Sequence, residues 1–281
     1  MKRFLLFAIL IVSCFSLGFS LETSTNATFD YPKVQPSGFA RVRYTADQTA
    51  GKKDSFTLAT TRFGLKGNIS KDISFTFFIE GTNTDTNNNK AVYDAYMDLK
   101  SIPYFATRLG QFKYKFSLEQ CTPDADLELI NKSEVVNKLV SPTRDIGIEI
   151  AKNFSVFSLK SDLALTLVNG SGSNQEDENH YKTVIGRIVF FPLKGLDFGG
   201  SFYDGETSTK TTKTRVGLEV KYEIERFFSK AEYVHGKDGS VQKEGYYLTA
   251  GYTLFPSFVL LLRYDVWDAS LKIVGKKENR W

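Results

Sequence analysis

The feature that most restricts what this chain can fold into is a period of two. From Ser37 onward, apolar and polar residues alternate again and again, the mark of a strand with two unlike faces. In "SFTLATTRFGLKG" the residues Ala59, Thr61, Phe63 and Leu65 fall on one side, with Thr60, Arg62, Gly64 and Lys66 on the other. "DISFTFFIEG" and "AVYDAYMDLK" repeat the pattern, the latter with Tyr93, Ala95, Met97 and Leu99 on its apolar side. "SDLALTLVNG", "KTRVGLEVKY" and "SFVLLLRYDVW" continue it. About thirteen such segments run along the chain, most about ten residues long. A tilted strand needs roughly 9–11 residues to cross a bilayer.

The gaps sort by length. Short connections at "NISKD", "SIP", "KNFS", "PLKG", "EIER" and "FPS" alternate with long polar ones. The long ones are "ADQTAGKKD", "NTDTNNNK", Lys113–Thr143, "NGSGSNQEDENH", "DGETSTKTT" and "HGKDGSVQK". A transmembrane β-barrel predicts this, with short turns at one rim and long loops at the other. Aromatics near strand ends (Tyr44, Tyr104, Phe105, Tyr181, Tyr222, Phe227, Phe255 and Trp267) suit interface girdles. In hydrocarbon each unpaired N–H or C=O costs several kcal/mol, so such a sheet must close on itself. The expected fold is all-β: an antiparallel transmembrane barrel with about thirteen visible strands of 14–16 and a long inserted loop after strand 5. The tail "DASLKIVGKKENRW" reads as an external loop and the start of a returning strand, so the sequence expects C-terminal strands to be missing.

The start "MKRFLLFAILIVSCFSLGFS" has a basic end, an apolar run and a small-residue exit, the pattern of a secretory signal. The expected organisation is therefore a signal peptide at 1–20, a periplasmic lead-in at 21–36 and an outer-membrane barrel domain at 37–281, with a constriction loop at 113–143. "IVSC", ending at Cys14, loosely resembles a lipoprotein cleavage box, but the apolar "FSLGF" follows it. With Cys14 removed, Cys121 is the remaining thiol, so neither an intrachain disulfide nor a cysteine metal cluster is expected. No cofactor or metal is expected: the acids fit neither a zinc nor a calcium-loop spacing. The formal charge of +4 is too small for a general nucleic-acid binder.

The face opposite the apolar one should look into the lumen. It carries Arg41, Arg43, Arg62, Lys66, Arg108, Lys160, Arg187, Arg215, Lys221, Lys230 and Arg263. Against them stand Glu80, Asp94, Asp98, Glu149, Asp162, Asp197, Glu219, Glu232 and Asp265. In the later strands these charges are expected to pair. On the first two strands Arg41, Arg43, Arg62 and Lys66 have no inward acid between them, and such a cluster focuses a positive potential into a channel. Arg and Lys are also the residues that hold anions. An anion path along strands 1, 2 and 5 follows as the sharper expectation.

Loops beyond about 12–15 residues are usually functional or disordered. Within 113–143, "TPDADLELINKSEVVNKLV" sets Leu127, Ile130, Val135 and Val136 at roughly helical spacing after an Asp/Pro start. A piece of that kind is expected to fold against the inner wall and narrow the pore.

Several stretches resemble the phosphate-selective porin O and P family of bacterial outer membranes: "TTRFGLKGNISKDISFTFFIE", "YDAYMDLKSIPYFATRLGQFKYKFSLEQ", "SPTRDIGIEI" and "LTLVNGSG". The resemblance spans roughly residues 38 to 265, and it is the shared order of short motifs that is specific. It implies a large barrel, a homotrimer as in the family's studied members, and a loop folded into the pore after the Leu-Glu. It also implies pore-facing roles for Arg62, Lys66 and Arg108. Lys113 and Lys115 stand where the loop begins, and Arg144 starts the strand that leaves it. Phosphate-selective members place a lysine right after the Leu-Glu, where this chain has Gln120. Lys132 and Lys138 are the nearest basic residues deeper in the loop.

The function expected is passive diffusion of small hydrophilic solutes through an outer-membrane porin that favours anions such as phosphate. Its surroundings would be outer-membrane lipid and lipopolysaccharide, with no nucleic-acid partner. The alternative is a structural or adhesin-type barrel with a plugged lumen and ligand-binding external loops. An enzyme is not expected: Gly-x-Ser-x-Gly is absent, and neither His180 nor His235 stands near a serine in a recognisable spacing.

Overall fold

The computed structural model of the chain describes residues 30–46, 54–82, 92–124, 126–140, 143–177, 179–207, 210–256, 258–271 and 277–280. The signal-peptide region, Cys14 and Trp281 lie outside the described residues. The chain forms two compact units, Met1–Ser101 and Ile102–Trp281. In the first, β1 (Lys33–Thr45), β2 (Ser55–Asn68), β3 (Ile73–Glu80) and β4 (Val92–Leu99) make an antiparallel meander. The second begins with β5 (Ala106–Lys113), followed by two short helices, α1 (Leu118–Cys121) and α2 (Glu134–Leu139). Then come β6 (Arg144–Val156), β7 (Leu159–Val168), β8 (Thr183–Leu193) and β9 (Leu196–Glu206). The series ends with β10 (Thr212–Ile224), β11 (Phe227–Asp238), β12 (Val241–Phe255), β13 (Phe258–Asp268) and the short β14 (Lys277–Arg280). Each strand of this unit pairs antiparallel with its neighbours in sequence. β14 is the returning strand that the tail suggested.

The two faces differ as the alternation requires. On β10, Val216, Leu218, Val220 and Tyr222 are exposed, while Arg215, Gly217 and Glu219 between them are buried. On β13, Leu260 and Leu262 are 63% and 67% exposed, which in water would invite aggregation and in hydrocarbon is the favoured state. No helix among the described residues is long and apolar enough to cross a membrane.

Several local expectations are corrected. β1 begins at Lys33, because residues before Ser37 already pair with the end of β2. A bulge between Arg41 and Val42 leaves Ala59 without a cross-strand partner, since Arg41 faces Thr60 and Val42 faces Leu58. The extra residue restores Phe56 and Leu58 to the apolar face that strict alternation would have denied them. A second irregularity, between Phe78 and Ile79, skips Tyr93 in the pairing of β3 with β4 and removes it from the apolar row. The β6–β7 turn falls at Phe157 and Ser158, not in "KNFS" at 152–155. Both residues have positive φ (49° and 68°), the left-handed pair that matches hairpin twist. "HGKDGSVQK" is no long loop: the β11–β12 ladder runs on to Asp238 opposite Val241, and Gly239 (φ 58°) helps make the tight turn. Asp238 holds the polar ends together, 2.6 Å from Arg215 and 2.7 Å from Lys243. Trp267 is buried on the polar face and does not join an aromatic girdle, whereas Tyr44, Tyr104 and Phe255 are exposed.

Candidate pore-lining site

In the first unit, the register aligns Phe39 with Arg62 and Arg62 with Glu80, making a row across three strands. Arg62 Nε donates to Glu80 Oε2 at 2.8 Å. Its guanidinium also lies 3.7 Å from the ring centre of Tyr93 and 5.3 Å from that of Phe39. Glu80 receives the Thr61 N–H at 3.1 Å as well. The expectation that the cations of the first two strands lack an acid is therefore corrected for Arg62, because Glu80 enters from the third strand. Lys66 sets its ammonium 5.3 Å from the Phe78 ring centre. Arg41 and Arg43 stand opposite Thr60 and Thr57, and Arg43 buries its Nε without a hydrogen-bond partner.

In the second unit, the inserted segment lies on the polar face of the sheet, with α2 packed against β11, β12 and β13. Val135, Val136 and Leu139 are buried there, and Val135 comes up against Gly245 of β12, whose missing side chain makes the room. Helical spacing holds only over Glu134–Leu139. Ile130 is exposed and Leu127 lies outside both helices, because α1 stops at Thr122–Pro123 and α2 does not start until Ser133 caps it.

Polar side chains of the wall fasten the segment. Glu232 of β11 accepts from the hydroxyl of Ser117 at 3.0 Å and from the backbone N–H groups of Leu118 and, at 3.3 Å, Glu119. Asp265 of β13 accepts the Glu134 N–H at 2.7 Å. Arg215 of β10 donates to the Leu139 carbonyl at 3.0 Å, at the end of α2. Arg263 of β13 pairs with Glu119 and donates to the Asn131 carbonyl at 3.0 Å. Glu119 in turn accepts the Ser133 N–H and hydroxyl, both at 2.8 Å, joining the two helices. Lys230 pairs with Glu128. Of the later-strand charges, Lys230 and Arg263 thus pair with acids of this segment, while within the wall Arg187 meets Glu219, Arg215 meets Asp238 and Lys221 meets Glu223.

The cations singled out around the segment fall into two groups. Lys132 lies 2.8 Å from Gln120 Oε1 and 3.4 Å from Asp124. Lys113 donates to the Thr122 carbonyl at 3.5 Å, stands opposite Arg144 in register, and feels the charges of both Lys132 and Arg144. These three cations and Gln120 share one neighbourhood. Lys115 is engaged elsewhere, 3.2 Å from buried Glu149, which also accepts from Thr166 at 3.2 Å. Arg108 faces Glu149 across the ladder and sits 5.9 Å from the Phe112 ring centre. Lys138 lies exposed in the last turn of α2. Burial pushes the Cys121 thiol above its ordinary pKa and the Tyr114 phenol further still.

Two of the sequence stretches meet in space. Asp145 of "RDIG" accepts the N–H groups of Gly170 (2.8 Å) and Gly172 (3.1 Å) in "NGSG", so one carboxylate organises the turn beyond β7. Glu119 was legible only as half of a Leu-Glu motif. Its role as the hub between two helices required the fold.

Over residues 36–224 the chain matches the family described as Phosphate-selective porin O and P. The chain belongs to this family. It is an outer-membrane porin, and solved porins share its fold. An anion-selective porin from Comamonas acidovorans is similar with a TM-score of 0.60 at 14% identity, covering 85% of this chain and 79% of that one. Salmonella typhi OmpF gives 0.59 at 12%, with 89% and 83% covered. The outer-membrane channel DcaP of Acinetobacter baumannii gives 0.54 at 15%, with 85% and 79% covered. No curated protein sequence matches the chain.

Proposed function

We propose that this porin passes small hydrophilic solutes by passive diffusion and favours anions, without a dedicated phosphate filter. The observation that carries the reading is that Lys113 at the end of β5, Arg144 at the start of β6 and Lys132 beside Gln120 share one neighbourhood where the inserted segment leaves and rejoins the sheet. Where phosphate-selective relatives have a lysine after Leu-Glu, this chain places a neutral amide and brings the Lys132 ammonium to it from twelve residues on. Against these three cations stands Asp124, 3.4 Å from Lys132, and the remaining positive excess near a low-dielectric wall raises the local concentration of anions of any shape, which suits general preference more than a fitted phosphate cage. Arg41, Arg43 and Lys66 add positive potential on the first unit's polar face. The anion selectivity stated for the Comamonas relative supports the same direction. Removal of residues 1–20 on export, assembly as a homotrimer, and contact with outer-membrane lipid and lipopolysaccharide complete the proposal.

The test is single-channel recording in a planar bilayer under a potassium chloride gradient. A steady conductance whose reversal potential favours chloride, and which phosphate competes for no better than other anions, is the expected result. Cation selectivity would overturn the anion reading, and absence of conductance would favour the plugged adhesin-type barrel.

A further inference from the structure

The inserted segment has little internal structure of its own: one helix of four residues, one of six, and a connection between them. Backbone of that kind cannot stay on a sheet unless its polar groups find partners there. The partners are concentrated at two wall carboxylates. Glu232 takes a hydroxyl and two N–H groups from Ser117–Glu119, and Asp265 takes the N–H of Glu134. Both are buried, so water cannot replace what they supply. We infer that Glu232 and Asp265 are the latch that positions the inserted segment, and that by holding it they set the width and anion preference of the passage.

The consequence for conduction rests on the porin reading; the docking itself does not. The groups facing Glu232 are Glu219 from β10, Tyr247 from β12, Arg187 from β8, and Glu119 and Cys121 from α1. Those facing Asp265 are Arg263 on its own strand, Glu119 from α1 and Glu134 from α2. Carboxylates therefore crowd this side of the segment, with Arg187 and Arg263 as the nearby cations. A carboxylate accepts several N–H groups at once, whereas a protonated acid or an amide turns a donor toward them. Acidification and Glu→Gln or Asp→Asn substitution should thus loosen the same contacts.

The experiment compares the full chain with Glu232→Gln, Asp265→Asn, the double variant and a control, Glu225→Gln in the exposed β10–β11 turn. Each is recorded in planar bilayers from pH 9.5 to 4.5 under a salt gradient. The wild type and control are expected to grow noisier as pH falls. The variants are expected to be noisy at every pH, with conductance raised about twofold or more and anion preference reduced. In parallel, maleimide labelling of Cys121 in a Cys14→Ser background reports docking without needing conduction. Labelling is expected to speed up about tenfold in the double variant as the half-buried thiol is released. If the wild type carries no current, the porin reading fails while labelling still decides the latch. If noise, selectivity and labelling of the variants all match the wild type, the latch is overturned. The single variants each keep one carboxylate and carry the same test should the double variant not fold, as judged by heat-modifiable gel migration.

Discussion

The polar faces of the two units hold their positive charges in different ways. In the four-stranded unit, cations sit among aromatic rings: Arg62 between Tyr93 and Phe39, Lys66 beside Phe78, with Glu80 as an acid partner of Arg62. In the ten-stranded unit, the wall cations Arg215, Arg263 and Lys230 are committed to the inserted segment, through the Leu139 carbonyl, Glu119 and Glu128. A cation on a lumen face is thus no guide to selectivity until its partner is known. In the second unit the wall cations hold structure, while the cations of the proposed anion path stand on or beside the segment itself, Lys132 among them 3.4 Å from Asp124.

Four measurements break or sharpen that contrast. The largest effect is expected from Arg62→Ala, which strands Glu80 and removes the cation from between two rings. Both partners of the pair are mostly buried (14% and 17% exposed), so a loss of about 3 kcal/mol is expected, read as a lowered urea midpoint of the folded barrel. Little change there would mean that Arg62 acts on solutes and not on the wall. Next, Lys113→Glu with Lys132→Glu should shift the chloride-to-potassium permeability ratio by about tenfold, equivalent to about 1.4 kcal/mol. An unchanged reversal potential would move the filter away from Gln120. Arg43→Glu with Lys66→Glu is expected to change the same ratio by only about two- to threefold, because those cations line one face and do not gather around one point. A larger shift than that of the Lys113/Lys132 pair would reverse the ranking of the two units.

The smallest effect lies in the β7–β8 loop. A hydrogen bond and ion pair with Lys182 hold the Asp177 carboxyl below the ordinary aspartate pKa. A depressed folded value means that the contact contributes above the unfolded pKa and is lost as pH falls through the folded one. Because the pair lies in a surface loop and Lys182 is exposed, the change should appear in a carboxyl titration followed by NMR and not in thermal stability. Replacing Lys182 with Ala should bring the Asp177 midpoint back up toward the ordinary value.

The strands were legible because a membrane strand writes its two faces into the sequence at period two. Ser74–Thr76–Phe78–Glu80 and Val216–Leu218–Val220 needed no tertiary information to be sorted. Ala59 and Tyr93 were missorted because a bulge shifts register by one residue, which a strict alternation cannot register. "HGKDGSVQK" was mistaken for a loop because charged strand ends beyond the hydrocarbon look like loop residues. At the site, the sequence located Lys113, Gln120, Lys132 and Arg144 within or beside one long insertion.

By itself, the sequence determined the all-β membrane architecture, the place of the insertion and the family, since these follow from residue spacing and motif order along the chain. Only the tertiary structure decided which charges are structural. Glu232 reaches Ser117 across more than a hundred residues, and Arg263 reaches Glu119 across a greater separation. The free energy of a buried ion depends on the partner that replaces its water, and a chain alternating every second residue does not encode which distant strand brings that partner.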